Sequence, residues 1–243
     1  MAPGRKLAAR TEPFDSYWQA PESVESGYRS FKAYYKANFL GRLPADREAR
    51  ILVVSCGPGY FVDFLRDAGY RNVLGIDSDP EKIRYAEKRG LSCKTAEAWP
   101  FLEQATGEFD LIVCEQELNH LTKDEMVEFL HLCRGAMRPG GSLIVYGLNG
   151  ANPITGAEAL AQNLDHFNTF TEYSLHQLLE YCEFDEIQVF PLRIYVFYKN
   201  PLNYIGWFVT GVLELSFRVL FKLYGKSASI FTKKIGAICR LPE

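Results

Sequence analysis

The sequence predicts an α/β fold: a Rossmann-like, doubly wound and mostly parallel seven-stranded sheet, with a helical N-terminal cap and a helical insertion before the last strand. Short apolar runs alternate with amphipathic helix patterns through the middle of the 243-residue chain. A glycine turn at 55–59 follows the first apolar run, and Asp77 follows the second. This alternation indicates parallel strands that all end on one rim of the sheet.

The elements are predicted in order along the chain. Aromatic residues at helical spacing, Phe31, Tyr34, Tyr35 and Phe39, indicate the cap. Apolar runs predict strands over 51–54, 72–76, 91–95, 109–114, 142–148, 185–194 and 230–240. Amphipathic patterns predict helices over 59–68, 80–89, 97–105, 122–136 and 171–182. A Pro-Gly-Gly turn at 139–141 is expected to lead into the fifth strand.

Composition indicates one large domain with appendages. We expect a disordered start plus the helical cap over 1–45, and a single domain over 46–243 that includes the apolar insertion at 195–228. Net charge of -3 argues against a general nucleic-acid binder. The first residues have no apolar segment of the secretory type, and the six cysteines form no CxxC pair. A cytoplasmic protein without a metal site is therefore expected.

The glycine turn and Asp77 form a unit that binds a nucleoside at the ends of parallel strands. Glycines let the backbone approach a ligand, and Asp77 offers acceptor oxygens to a ribose diol. A dinucleotide site would have a third glycine where Val62 stands, and no Gly-Lys-Ser/Thr follows a glycine loop anywhere. A nucleoside without phosphates is the ligand that remains.

At this point the residues resemble the class I S-adenosylmethionine (SAM) dependent methyltransferases. Cys-Gly-Pro-Gly at 56–59 matches their first motif, although Val53 replaces the usual acid and Ser55 the first glycine. The segments 109–114 and 138–145 resemble the motifs of the fourth and fifth strands. The resemblance implies SAM as cofactor and S-adenosylhomocysteine as its product. The cofactor-binding residues are then expected to be Ser55, Cys56, Gly57, Gly59, Tyr60, Asp77, Ser78, Glu97, Ala98, Cys114 and Glu115.

A hydroxyl acceptor loses its proton as it is methylated, and a neutral histidine at the rim can take that proton. His131 and His176 fall within predicted helices, whereas His120 follows the fourth strand, where the acceptor should arrive. Asp165 and His166 lie in the loop after the fifth strand, over the same rim. His120, Asp165 and His166 are therefore the catalytic candidates, with a helix cap or packing role as the alternative for His120. Asn149 and Asn152 could bind a polar acceptor.

The chain as a whole resembles bacterial methyltransferases associated with cell-envelope polysaccharide and O-antigen synthesis. This likeness implies O-methylation of a sugar hydroxyl, or of a phosphate, in an envelope glycan or its precursor. A small-molecule methyltransferase for a quinone or natural product is a second hypothesis, in which the apolar insertion lines the acceptor pocket. A non-catalytic binding protein that kept the fold is the third, and Val53 and Ser55 favour it.

The segment 201–225 is apolar and aromatic, and Thr210, Glu214, Arg218 and Lys222 form a narrow polar stripe along it. A membrane span is not expected, because charges interrupt a run already short of about 20 residues. Two hypotheses stay open. The segment is either a helix buried against the core or a dimer mate, or an interfacial helix that makes the protein peripheral to the inner membrane.

Overall fold

The computed structural model describes residues 21–115, 117–161, 163–193 and 200–242. The predicted disordered start lies outside these residues. The strands are β1 (Arg50–Val54), β2 (Asn72–Asp77), β3 (Cys93–Thr95), β4 (Phe109–Glu115), β5 (Met137–Leu148), β6 (Asp185–Leu192) and β7 (Lys234–Arg240). The α-helices are α1 (Pro21–Phe39), α2 (Tyr60–Asp67), α3 (Pro80–Lys88), α4 (Ala98–Gln104), α5 (Lys123–Ala136), α6 (Gly156–Ala161), α7 (Glu172–Tyr181) and α8 (Leu202–Leu223).

Within the described residues, the strands form one seven-stranded sheet in the order β3-β2-β1-β4-β5-β7-β6. β1 pairs in parallel with β2 and β4, and β4 pairs in parallel with β5. β7 lies antiparallel between β5 and β6. This arrangement confirms the predicted mostly parallel, doubly wound sheet of seven strands.

Two apolar layers hold the helices on the two faces of the sheet. Ile51 and Val53 of β1 face one layer with α1, α2 and α3, whereas Leu52 and Val54 face the other with α4, α5 and α7. Successive side chains of a strand point to opposite faces, so a strand that is apolar throughout must be covered on both. The short apolar runs in the sequence therefore correspond to strands that helices cover on both faces of the sheet.

Two strand starts and one short helix are the main differences from the predictions. β5 begins at Met137, so the expected Pro-Gly-Gly turn lies inside the strand, where the pairing with β4 shifts in register between Phe109 and Leu111. β7 begins at Lys234 rather than at 230, and the short helix α6 was not predicted. Proline and glycine usually end a strand, but an irregular pairing at a sheet end accommodates them.

The insertion forms the long helix α8, and no residue of α8 is buried. The expectation that this helix packs into the core of its own chain is therefore wrong. The residues 194–199 that precede it lie outside the described part of the chain. α8 instead lies on the outside of the domain, with most of its apolar side chains exposed.

Candidate functional site

The glycine turn after β1 is held in a conformation that favours glycine. Ser55, Gly57 and Gly59 have φ angles of 55°, 52° and 81°, all in the left-handed region. A Cβ atom on Gly59 would lie 2.9 Å from the Leu91 side chain, so a larger residue does not fit there. Nothing lies within 4 Å of a Cβ built on Gly57, which leaves that stretch of backbone open to a ligand.

Asp77 fixes the shape of this turn from the end of β2. Its Oδ2 accepts a hydrogen bond from the Gly57 N–H at 2.8 Å, and its Oδ1 accepts one from the Asp79 N–H at 3.0 Å. A carboxylate oxygen can accept more than one hydrogen bond, so lone pairs remain for a diol. The structure thus brings together the turn and the acid that the sequence paired.

Glu115 ends β4 beside the same turn. The Tyr35 hydroxyl donates to Glu115 Oε2 at 2.7 Å, and the Tyr146 hydroxyl donates to the same oxygen. Burial raises the pKa of Glu115 to about 7, although both tyrosine hydroxyls and the charge of Lys234 oppose the rise. Burial lowers the pKa of Lys234 to about 8, against the pull of Glu115.

Glu115 Oε1 is buried and has no hydrogen-bond partner among the described residues. An orphaned acceptor of this kind is costly unless a ligand supplies a donor. The cofactor that the sequence implies carries an ammonium group at its amino-acid end, and the usual motif acid for that end is absent because Val53 occupies its position. A carboxylate from β4 at this point fits that group.

Ser55 reaches a second acid that sequence reasoning missed. The Ser55 hydroxyl donates to Glu117 Oε2, which joins the glycine turn to the short 3₁₀ helix Glu117–His120. The sequence position of Glu117 could have revealed it as a site residue, since Glu117 follows the fourth strand by two residues. Tyr35, Tyr146 and Lys234 had no such signal, because they come from elements far apart in the chain.

Helix α1 covers the glycine turn. The Tyr28 hydroxyl donates to the Pro58 carbonyl at 2.6 Å, and the Tyr60 hydroxyl donates to the Val24 carbonyl at 3.1 Å. The Phe31 ring stacks on Tyr60 with their centroids 4.7 Å apart. Tyr60 was expected to bind the cofactor, but its hydroxyl donates to helix α1 and holds the cap in place.

The remaining predicted cofactor residues separate into two groups. Ser78 and Glu97 are exposed at the rim, and Glu97 precedes α4 without capping it through its side chain, so it is available to a ligand beside Ala98. Cys56 and Cys114 are buried in the two apolar layers. A hydrogen bond with the Cys93 thiol, and then burial, raises the pKa of Cys56, whereas burial is the main cause that raises the pKa of Cys114. Both side chains pack as small buried thiols, so only their backbone is placed to meet a cofactor.

His120 and Asp165 meet at the rim. His120 Nδ1 lies 2.9 Å from Asp165 Oδ2, and the hydrogen bond to His120 is the main cause that lowers the pKa of Asp165. A carboxylate beside Nδ1 favours the proton on that nitrogen, which leaves the basic lone pair on Nε2.

His166 lies against His120, with ring centroids 4.9 Å apart, but plays a different role. Its Nδ1 contacts the Ala159 carbonyl at 2.8 Å, and its Nε2 contacts the Asn163 amide nitrogen at 3.3 Å. A carbonyl only accepts, so Nδ1 carries the proton, and Nε2 accepts from the amide. Both nitrogens are committed, so His166 supports the loop and is a weak candidate for the base.

The three side chains also form a group of metal-ligand type. One ligand atom from each of His120, Asp165 and His166 lies within 4.8 Å of the others. No such group was expected from the sequence, because these residues are not in a metal-binding spacing. The tautomer of His166 described above does not require an ion, so we interpret the group as a supported acid–base pair.

Asn119 holds this pair in place and is a functional residue whose role sequence reasoning missed. Its Oδ1 accepts from the Leu148 N–H at 3.2 Å, and its Nδ2 donates to the Asn168 carbonyl at 2.6 Å. A Cβ atom on Gly147 would lie 2.4 Å from Asn119 Oδ1, so the fit needs that glycine. Asn119 therefore ties the end of β5 and the loop that carries Asp165 to the segment that carries His120.

Asn149 and Asn152 do not face an acceptor. Asn149 Nδ2 donates to the carbonyls of Ile230 and Thr232, and Asn152 Nδ2 donates to that of Phe231. Their side-chain oxygens accept backbone N–H groups of their own loop. Both side chains anchor the segment before β7, which corrects the expectation that they bind substrate.

Known proteins resemble this chain in sequence and in fold. Residues 51–141 match the family described as a methyltransferase domain. A ubiquinone biosynthesis O-methyltransferase from Caulobacter vibrioides is 27% identical over 158 residues, which are 58% of this chain and 62% of that protein. The human mitochondrial ubiquinone biosynthesis O-methyltransferase is 27% identical over 109 residues, 41% of this chain and 29% of that protein. The chain spans about half the length of the first curated relatives it matches.

A solved structure of a SAM-dependent methyltransferase from Archaeoglobus fulgidus shares the fold, with a TM-score of 0.60 and 16% identity. The match covers 96% of this chain and 99% of that one. The fold class predicted from the sequence is confirmed. The finer resemblance, to envelope-polysaccharide methyltransferases, finds no support in the relatives described above.

Proposed function

We propose that the chain is a SAM-dependent O-methyltransferase of the class I fold, acting on a hydroxyl of a small organic molecule. One observation carries the proposal: the His120–Asp165 pair stands on the same rim as the glycine turn and Asp77. A cofactor cradle and a candidate base therefore share one edge of the sheet, where ligands of such sheets bind.

The residues present fit SAM. Asp77 would accept from the ribose diol, the backbone of the glycine turn would lie along the cofactor, and Glu97 with Ala98 would receive the adenine. Glu115 Oε1, buried and without a partner among the described residues, would take the ammonium group. When bound, SAM supplies an activated methyl group.

His120 supplies what the acceptor needs. The lone pair on Nε2 takes the proton of the acceptor hydroxyl, and Asp165 stabilises the imidazolium that results. Asn119 fixes the spacing between the two groups by joining the segments that carry them. Helix α1 shields the turn from water on one side.

The relatives support the chemical class of the acceptor, whereas the cofactor-binding residues do not bear on it. Those described above are named for O-methylation in ubiquinone biosynthesis, which favours a phenolic, quinone-type acceptor. The glycan acceptor suggested by the sequence resemblance has no comparable support and stays a prediction. A cytoplasmic location is part of the proposal, supported by the six cysteines, all of which are free.

Calorimetric titration of the full chain with SAM tests the cofactor assignment first. Micromolar binding is expected, and no heat at millimolar SAM would leave the non-catalytic scaffold as the better interpretation. Turnover with a catechol-type acceptor tests the base.

His120→Ala should lower kcat at least a hundredfold, the lower end of what a general base contributes, while SAM affinity changes less than about twofold. His131→Ala, an exposed histidine in α5, is the matched control and should leave both values unchanged. Equal loss of turnover and SAM affinity in His120→Ala would refute its role as base.

A further inference from the structure

Helix α8 leaves its most apolar face largely exposed. Ile205, Phe208, Val212, Leu215, Val219 and Leu223 recur every three or four residues and form one face, the outward stripe. Each of these side chains is between 50% and 78% exposed. A helix at a water-facing surface normally presents polar side chains there, so this stripe needs another environment.

The opposite face of α8 holds the polar groups and the contacts with the domain. Thr210 and Glu214 are only partly exposed and lie on that side. The rings of Phe217 and Phe221 pack on the buried ring of Phe231, with centroids 5.8 Å and 4.7 Å away. Arg218 Nε donates to the Ser229 carbonyl at 2.7 Å. The helix is thus attached side-on, with its usual amphipathic orientation reversed.

We propose that the outward stripe docks in the surface of an anionic lipid bilayer, with α8 lying in the plane of the membrane. The exposed charges at and beyond its C-terminal end are basic, Lys222, Lys226 and Lys233, and complement anionic headgroups. Exposed aromatic residues flank the stripe, namely Tyr204, Trp207 and Tyr224. Such side chains prefer the boundary between lipid and water. Like charges on a second copy would repel, whereas lipid phosphates attract.

An in-plane position follows from the side-on attachment. α8 has 22 residues, about 33 Å at the rise of an α-helix, so it is long enough and apolar enough to cross a membrane. The sequence argument that the run is too short is therefore wrong. Its contacts with Phe231 and Ser229 nevertheless hold the helix along the domain, and a spanning position would have to break them.

A cavity of about 460 Å³ lies beneath the helix. α8 forms one wall, to which Phe208, Val212 and Leu215 of the outward stripe contribute. Asn152, Thr155, Phe231 and Lys233 line the cavity from the domain. Docking would bring this mostly apolar cavity to the bilayer surface, where an amphipathic acceptor could enter it from the lipid. This last step rests on the proposed function, whereas the docking itself does not.

Flotation of the full chain with vesicles of 70% phosphatidylcholine and 30% phosphatidylglycerol tests the docking. The protein should float with these vesicles and much less with pure phosphatidylcholine. Val219→Glu, which places a charge in the stripe outside the cavity, should lower the partition coefficient at least tenfold. Tyr181→Glu, equally charged and on an exposed side chain of α7, should have no effect. Lys222→Gln should lower the partition coefficient about fivefold with the anionic vesicles only.

Three results would overturn the proposal. The first is wild-type protein that stays at the bottom of the gradient with anionic vesicles. The second is Val219→Glu protein that floats as well as wild type. The third is a dimer by light scattering that Val219→Glu converts to monomer, which would assign the stripe to a second copy.

The in-plane position of α8 has a test of its own. Resistance of the vesicle-bound chain to extraction at pH 11 would overturn that position. Because turnover with a soluble acceptor needs no membrane, failure here is distinguishable from failure of the proposed activity.

Discussion

Glu115 couples the stability of the ligand-free protein to pH. Its folded-state pKa of about 7 is raised above the ordinary value of 4.5, mainly by burial. A carboxyl group with a raised pKa contributes stability in its protonated form. That contribution is fully present below the unfolded pKa and is lost as pH rises through the folded one. The relevant window therefore runs from about pH 4.5 to pH 7.

Glu115→Gln removes this titration and keeps a similar shape. Between pH 5 and pH 7.5, the wild type should lose roughly 2 kcal/mol of unfolding free energy relative to the variant. Urea unfolding of both proteins without SAM measures the difference. Stopping at pH 7.5 leaves Lys234, with its pKa of about 8, mostly protonated throughout. Parallel pH curves for the two proteins would contradict the prediction.

The same carboxyl group should govern SAM affinity. An ammonium binds the ionised form, so SAM affinity of the wild type should rise with pH through about 7. Glu115→Gln should raise the Kd for SAM at least tenfold at pH 8 and abolish that pH dependence, as titration calorimetry would show. Glu117→Gln serves as comparison. A larger loss in that variant would assign the ammonium group to Glu117, which contacts Ser55.

At the scale of elements, α1 and the glycine turn act as one unit. A Cβ atom on Gly27 would lie 2.5 Å from the Tyr60 hydroxyl, which holds α1 through Val24. Gly27→Ala should therefore push α1 off the turn and raise the Kd for SAM severalfold. The unfolding free energy should fall by about 1–3 kcal/mol, as for other overpacked sites.

Gly41→Ala is the control for this effect, because nothing lies within 4 Å of a Cβ at that position. Its stability and SAM affinity should match wild type, measured by denaturant titration and calorimetry. If both alanine variants bind SAM as the wild type does, α1 packs on the turn without controlling access to it.

The sequence predicted those elements whose pattern has a single physical meaning. A short apolar run between turns, such as Ile51–Val54, is a strand covered on both faces, and β1 forms there. The sequence of a broadly apolar helix does not tell whether protein or lipid covers it, because both environments suit apolar side chains. The burial expected for α8 failed for that reason, and the direction of its stripe became visible only with the contacts to Phe231.

At the scale of the molecule, topology explains which parts of the site were predictable. The strand order brings the ends of β1, β2, β4 and β5 to one rim, so the turn, Asp77 and His120 were expected together there. Tyr35, Tyr146 and Lys234 converge on Glu115 through packing of α1 and through the antiparallel β7. No short-range pattern encodes such convergence, and the pairing of His120 with Asp165 likewise depends on how a loop folds back.

The arrangement of rim, cavity and outward stripe predicts a preference for acceptors that carry an apolar chain. If the acceptor arrives from the bilayer, its apolar part occupies the cavity beneath α8 while its hydroxyl reaches His120. A phenol with an isoprenoid chain, presented in anionic vesicles, should then have a kcat/KM at least tenfold above that of the same phenol without the chain. Fully burying one apolar side group contributes about 1.5–3 kcal/mol, which is sufficient for this ratio.

Transfer of labelled methyl from SAM to each phenol measures the ratio. The same phenol with a polar chain of equal length is the control for size, and it should behave like the chainless compound. Val219→Glu should remove the advantage of the vesicle-borne acceptor yet leave kcat for the soluble phenol unchanged, because Val219 does not line the cavity. Methylation of a sugar or sugar phosphate with no activity on either phenol would instead favour the glycan acceptor.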